Sequence, residues 1–388
     1  MVTTRRSFVK LAGLGMGATM MAPYHQALAA AGRMVVISNG GDSDAGIGAS
    51  MTLIDPETLD VLATLSAPGS LTFPAARWDY TRDIIWGGTR EKVVGYSLTT
   101  GEEVATVATE SSQNYTELTP DGRFLINAAR FTDKLHKIDA RPDIPNMSRI
   151  VEIADHYDGS NPCDMTMLAD GKYAFTPDRL GGTVSVFSID PFERVVSLPL
   201  EQLGDDPLEP FMATVSPRGD ILLVENARGD GSESVIDVSN PLAPMEIARF
   251  AQSDGLGVNP LTSEISPDGR WGVVMCRRAN ALSIIDMDQV AITGSVALED
   301  ESAPLGGTFI PTGERLFVPL PGRDAVAVVS VPGFEVEAMI PVGPRPLSAA
   351  YVEADVPERQ GMNIPMGAAF EHGRVFAANC SDRCCGPC

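Results

Sequence analysis

Residues 260–286 read PLTSEISPDGRWGVVMCRRANALSIID, and this stretch carries the pattern on which the whole chain is built. It opens on Pro260, reaches the turn Pro267-Asp268-Gly269, runs through Val273-Val274-Met275 and ends at Ile284-Ile285-Asp286. Proline presets one backbone angle and glycine accepts positive φ, so the turn punctuates two extended segments. The turn recurs as Pro120-Asp121-Gly122, Asp170-Gly171, Pro217-Arg218-Gly219 and Pro311-Thr312-Gly313. Nine residues upstream of each stand Gln113, Pro162, Pro210 and Pro304, and degenerate copies begin at Pro74 and Pro346. Successive copies lie 39, 49, 48, 50, 44 and 42 residues apart.

The second landmark repeats seven times. It reads Leu53-Ile54-Asp55, Tyr96-Ser97-Leu98, Lys137-Ile138-Asp139, Ser188-Ile189-Asp190, Val235-Ile236-Asp237, Ile284-Ile285-Asp286 and Val329-Ser330-Val331. Between landmarks the residues alternate, as in Thr183-Val184-Ser185-Val186-Phe187-Ser188, which is the mark of antiparallel strands, four to a unit. Four-stranded units at this period fit blades of a β-propeller better than a stacked solenoid or a sandwich. The first unit starts at Met34-Val35-Val36-Ile37-Ser38 and lacks an innermost strand, whereas residues 346–352 supply one at the other end. Pairing the two closes the ring and leaves no open edge. The expectation is an all-β, seven-bladed β-propeller over residues 30–354, closed by pairing of its N- and C-terminal strands. A leader at 1–29 precedes it and a cysteine-rich tail at 355–388 follows.

Turn, strand, Val-Ile-Asp and return strand together resemble the YVTN-repeat propellers, the YncE-like group. The literal tetrapeptide is missing, and Ala174-Phe175-Thr176-Pro177 and Leu223-Val224-Glu225-Asn226 stand where it would fall. The resemblance implies the fold. It implies no single activity, because the family includes periplasmic proteins proposed to bind nucleic acid and cofactor-bearing dehydrogenase subunits.

Thr4-Arg5-Arg6-Ser7-Phe8-Val9-Lys10, an apolar run from Leu11 to Ala22 and Ala27-Leu28-Ala29 resemble a twin-arginine (Tat) signal peptide. The run is too short to cross a bilayer core of about 30 Å. Export to the periplasm is expected; a retained N-terminal anchor is the alternative.

The chain carries 51 acidic and 29 basic residues, a net charge of -22. Such a charge repels phosphate backbones and argues against a nucleic-acid partner, leaving a small molecule or a periplasmic protein. Beyond the leader only His136, His156 and His372 occur, and Cys-x-x-Cys-His, a phosphate loop, Gly-x-Ser-x-Gly and His-Glu-x-x-His are absent.

Propellers bind ligands at the mouth of the central channel. The residues that follow each start point place Arg77, Trp78, Tyr115, Glu117, Cys163, Asp164, Phe211 and Glu264 near it, with Arg323 in a later loop. Glu117 and Glu264 share a register three blades apart, and Cys163 sets a thiol beside Asp164. Polar groups on innermost strands also serve as hydrogen bonds between blades. Asp42-Ser43-Asp44 and Asp205-Asp206 with Glu209 are acid clusters without a full calcium-loop spacing.

Four of six cysteines, Cys380, Cys384, Cys385 and Cys388, fall in the last nine residues. Four thiolates can wrap one soft ion, Cu or Zn. Cys385-Gly386-Pro387-Cys388 looks like a thioredoxin tetrapeptide, although no tryptophan precedes it. Two structural disulfides formed after export are the third account. The expected role is a non-catalytic binding platform whose tail binds a soft metal or exchanges thiols. The alternative is a periplasmic oxidoreductase or hydrolase with its site at the channel mouth.

Overall fold

The computed structural model describes residues 33–42, 44–47, 50–66, 77–79, 84–88, 92–97, 103–109, 114–140, 149–162, 164–200 and 208–353. They form seven four-stranded antiparallel sheets. Blades 2 to 7 each run outward in chain order, from innermost strands that begin at Arg77, Asn114, Thr166, Pro210, Pro260 and Thr308. Blade 1 is assembled from both ends of this region: Pro346–Glu353 is its innermost strand and Arg33–Asn39 its second. Their register runs from Arg33 opposite Glu353 to Asn39 opposite Pro346, so the expected closure is present.

Local chemistry explains the repeated motifs. In the turn of blade 6, Ser266 Oγ donates to Asp268 Oδ1 at 2.5 Å, while the backbone N–H groups of Arg270 and Trp271 donate to Asp268 and to Ser266 Oγ. Gly269 sits at φ 72°, where a Cβ would be strained. Thr119 and Asp121 build the same turn in blade 3. The aspartate that ends Val-Ile-Asp caps the next turn, as Asp286 Oδ1 does for the N–H groups of Asp288 and Gln289. One residue before or at this landmark, the pairing of third and fourth strands shifts register in all seven blades. Such bulges increase twist, and a propeller blade needs that twist between axis and rim.

Both faces of a blade are buried against its neighbours, so the core is divided into seams. Phe175 and Val184 of blade 4 pack with Leu222 and Val224 of blade 5, and Val273 and Met275 of blade 6 pack with Phe309 and Leu316 of blade 7. Among the described residues no helix is long and apolar enough to cross a membrane.

The register corrects one alignment. Asp178 faces Thr183 as Asn226 faces Ser232 and Asn39 faces Ser50. The tetrapeptide position in blade 4 is therefore Phe175–Asp178, one residue later than the sequence pattern suggested.

Candidate functional site

Innermost strands begin at one face of the ring, here called the mouth. There the residue after each starting proline is apolar in four consecutive blades: Phe211, Leu261, Leu305 and Leu347. With Met212 and Ala128 they form one buried cluster. The floor of the mouth is thus apolar where the described residues show it.

Above this floor, the residue that leaves the second strand is arginine in blades 3, 4 and 6: Arg130, Arg179 and Arg277. Its backbone N–H is anchored to its own blade, Arg179 on the carbonyl of Asn161 and Arg277 on that of Asn259. In blades 3 and 4 its side chain reaches the residue before the next blade's starting proline. Arg130 Nε donates to Asn161 Oδ1 at 2.9 Å, and the Asn161 amide donates back to the Arg130 carbonyl. Arg179 holds Glu209 at 3.3 Å, with its guanidinium 5.4 Å from the Phe211 ring. Arg228 approaches the same carboxylate at 3.1 Å. Glu209 is therefore bracketed by two arginines, which removes it as a calcium ligand. Asp42 caps its own turn through the N–H groups of Asp44 and Ala45. Asp205 and Asp206 lie outside the described residues.

The residues expected at the mouth divide three ways. Arg77, Trp78 and Tyr115 lie on innermost strands, paired with Trp86, Ile85 and Ala128. Cys163 and the tail cysteines Cys380, Cys384, Cys385 and Cys388 lie outside the described residues, as does the leader. Glu117, Asp164 and Glu264 are buried. Asp164 accepts the N–H of Ala213 and so ties blade 4 to blade 5. Glu117 and Glu264 stand opposite Ile126 and Val273, whose side chains fill the seams to blades 4 and 7. The two glutamates do not meet.

Buried titratable groups gather elsewhere, inside and between blades. Asp178 is wholly buried and accepts from Thr183 at 2.5 Å, Ser185 at 2.6 Å, Thr176 at 3.1 Å and Tyr157 at 3.4 Å. His156 Nε2 lies 3.0 Å from Thr176 Oγ1 and 3.5 Å from Asp178, and its ring meets Phe187 edge-on. Burial pushes Asp178 up to about 7 against the pull of the four hydroxyls, and burial with the charge of Arg194 pushes His156 down to about 3. The group clasps the loop entering blade 4 to the second and third strands of that blade. In blade 5, Glu225 and Glu233 stand directly opposite each other, both fully buried. Burial, then the charge of Glu225, pushes Glu233 well above the usual carboxylate range. Cys276, across the seam, is a buried thiol pushed up to about 11 by burial, which suits an inert core residue.

Among the described residues no three His, Cys, Asp or Glu side chains are placed to hold a metal ion. The arginine positions escaped a motif search because each is a single residue. Aligning the copies on their starting points would have exposed the recurrence at 130, 179 and 277.

No family model and no curated protein matches the chain. Its fold recurs in solved structures. A protein from Lactobacillus plantarum is 13% identical with a TM-score of 0.68, covering 83% of this chain and 99% of that one. The periplasmic gluconolactonase of Pseudomonas aeruginosa is 16% identical with a TM-score of 0.65, covering 83% and 99%. A dihydro-heme d1 dehydrogenase, NirN, is 16% identical with a TM-score of 0.57, covering 83% and 75%. The chain is a seven-bladed β-propeller. At these identities the likeness extends to fold alone.

Proposed function

We propose that this protein is an exported YVTN-type propeller that binds a small anionic molecule at its mouth and acts there as a binding platform rather than a catalyst. The observation that carries the reading is the apolar floor of Phe211, Leu261, Leu305 and Leu347 beneath the recurring Arg130, Arg179 and Arg277, in a chain of net charge -22. Arginines kept at one face of so acidic a protein favour an anion, and an apolar floor favours a ligand with carbon to bury. The strongly shifted acids, Asp178 and Glu233, are buried within and between blades, and the Asp178 oxygens are occupied by hydroxyls of their own blade and the loop entering it.

The Tat-like leader and the likeness to a periplasmic protein of the same fold support export. The tail cysteines are proposed to hold one Cu or Zn ion or to exchange thiols. Elemental analysis of wild type against a variant with Cys380, Cys384, Cys385 and Cys388 changed to serine decides the metal, and equal metal content ends that part.

The test of the mouth is a thermal-shift panel of small organic anions and neutral sugars, followed by hydrogen exchange with the best stabiliser. Protection should fall on residues 130–133, 179–182, 227–231 and 277–280. Protection confined to the opposite face overturns the reading. Likeness to a gluconolactonase and to NirN supports a second reading, a hydrolase or oxidoreductase at the same mouth. Steady turnover of a lactone by the purified protein would favour it.

A further inference from the structure

The link between successive blades at the mouth has two parts: the residue leaving a second strand, and the residue before the next blade's starting proline. Arg130 meets Asn161 and Arg179 meets Glu209, and both pairs are hydrogen-bonded. The next two links are mismatched. Ala227 stands where an arginine would meet Asn259, and Ala303 stands where an acceptor would meet Arg277.

Each mismatch leaves a polar group unanswered. Asn259 is 1% exposed, yet neither its amide nitrogen nor its carbonyl oxygen has a hydrogen-bond partner. Leaving such a group unmade costs about 1–3 kcal/mol, so a structure keeps one only with a reason. Arg277, half-buried, makes no side-chain hydrogen bond or ion pair among the described residues. Of the acids in the adjoining loops, Glu299 is engaged with Arg323 at 3.3 Å and Asp230 with Arg278 at 3.2 Å, and Asp300 and Glu301 are exposed to solvent. The two vacant positions adjoin, since the Arg277 N–H donates to the Asn259 carbonyl at 2.8 Å. Leu261 and Leu305 of the apolar floor follow the two starting prolines at this same break.

We propose that this break is the ligand's seat, and that it takes a small hydroxy-carboxylate. The ligand's carboxylate sits on Arg277, in the place Glu209 fills for Arg179, and a ligand hydroxyl meets the Asn259 amide. The proposal rests on the mouth being the ligand face and adds the ligand class and the residues that grip it. Guanidinium and carboxylate match as a bidentate pair, and the half-buried setting strengthens it relative to open solvent.

Calorimetric titration with gluconate, and with sorbitol as the same polyol lacking a carboxylate, tests it. Gluconate should bind at one site and sorbitol should not. Arg277→Gln should weaken gluconate by roughly tenfold or more, as expected for loss of a charge-assisted pair. Asn259→Gly, which keeps the left-handed backbone at φ 62° while deleting the amide, should weaken it several-fold. Arg218→Gln, on the opposite face beside Asp288, should bind as wild type, and equal melting temperatures would show that all variants are folded. Equal affinity of wild type and Arg277→Gln overturns the seat. Failure of wild type to bind gluconate at millimolar concentration overturns the ligand class, whereas the mouth reading stands or falls on where exchange protection lies with other ligands.

Discussion

Blades 4 and 5 are neighbours, each buries acid at its second strand, and they treat it in opposite ways. Asp178 is surrounded by four hydroxyls from Thr176, Thr183, Ser185 and Tyr157. Glu233 has no hydrogen-bond partner on either oxygen, and the charge of the equally buried Glu225 acts on it. Donors around a carboxylate stabilise its charged form and recover much of the hydration lost on burial. Without them the charge is too costly, and the proton stays. Burial alone therefore says little about what an acid contributes. Asp178 binds parts of a blade together, and Glu233 sits in a seam with its carboxyl held well above the usual carboxylate range.

The largest expected effect follows from the clasp. Asp178→Ala strands four donors and leaves His156 without its neighbour, and should cost about 3–5 kcal/mol of stability in chemical denaturation. A loss under about 1 kcal/mol, the range of an exposed pair, would break the contrast. Glu233→Gln should act in the opposite direction. The folded state keeps a proton that the unfolded chain releases above about pH 4.5, so this carboxyl costs stability as pH rises. The glutamine variant, which does not titrate, should match wild type near pH 4 and gain on it towards pH 9, by up to about 1.4 kcal/mol per unit. A parallel pH profile would show that Glu233 is already ionised in the fold.

A smaller effect lies within the clasp itself. His156, lowered to about 3, is neutral when folded, so it withdraws stability as pH falls through 6.5 towards 3. Asp178, raised to about 7, withdraws stability as pH rises from 3.8 to 7. Between pH 3.8 and 6.5 the two slopes oppose, and their sum is nearly flat. Asp178→Asn removes one slope and should expose the histidine's, so that the variant loses stability steadily below pH 6.5. Smallest of all, Cys276→Ala in the seam beside Glu233 should shift the melting temperature by only a few degrees, because its weak bonds to Ser283 and the Val274 carbonyl are 3.5 and 3.6 Å long.

The ring was legible because its cause is periodic. Five glycine turns and five landmark aspartates, with degenerate copies between them, announce blades, and a first copy lacking its inner strand announces closure. Even the strand that closes the ring, residues 346–352, could be named before any coordinates. The site was far less legible. His156 and Asp178 are separated by a whole strand and loop, and only the register brings them together. Glu225 and Glu233 oppose each other across a hairpin whose register the sequence does not state. Of the polar residues proposed for the mouth, Glu117 and Glu264 lie towards the far ends of their innermost strands, and alternation turns them into the seams beside Ile126 and Val273. Phe211, named among those candidates, is buried in the apolar cluster with Met212, Leu261, Leu305 and Leu347. Arg277 and Asn259 stand out only when compared with matched positions whose partners are present.

The way the ring closes has a consequence for how the molecule can be held. Arg33 and Glu353 are paired at the far end of blade 1 from Asn39 and Pro346, so both strands point their outer ends away from the mouth. A bead, sensor chip or carrier protein joined directly at Arg33 or Glu353 would grip the back of the disc. The loops bearing Arg130, Arg179 and Arg277 would then all face outward in one orientation. Immobilised at either of these two residues, the ring would present a uniform layer of accessible mouths.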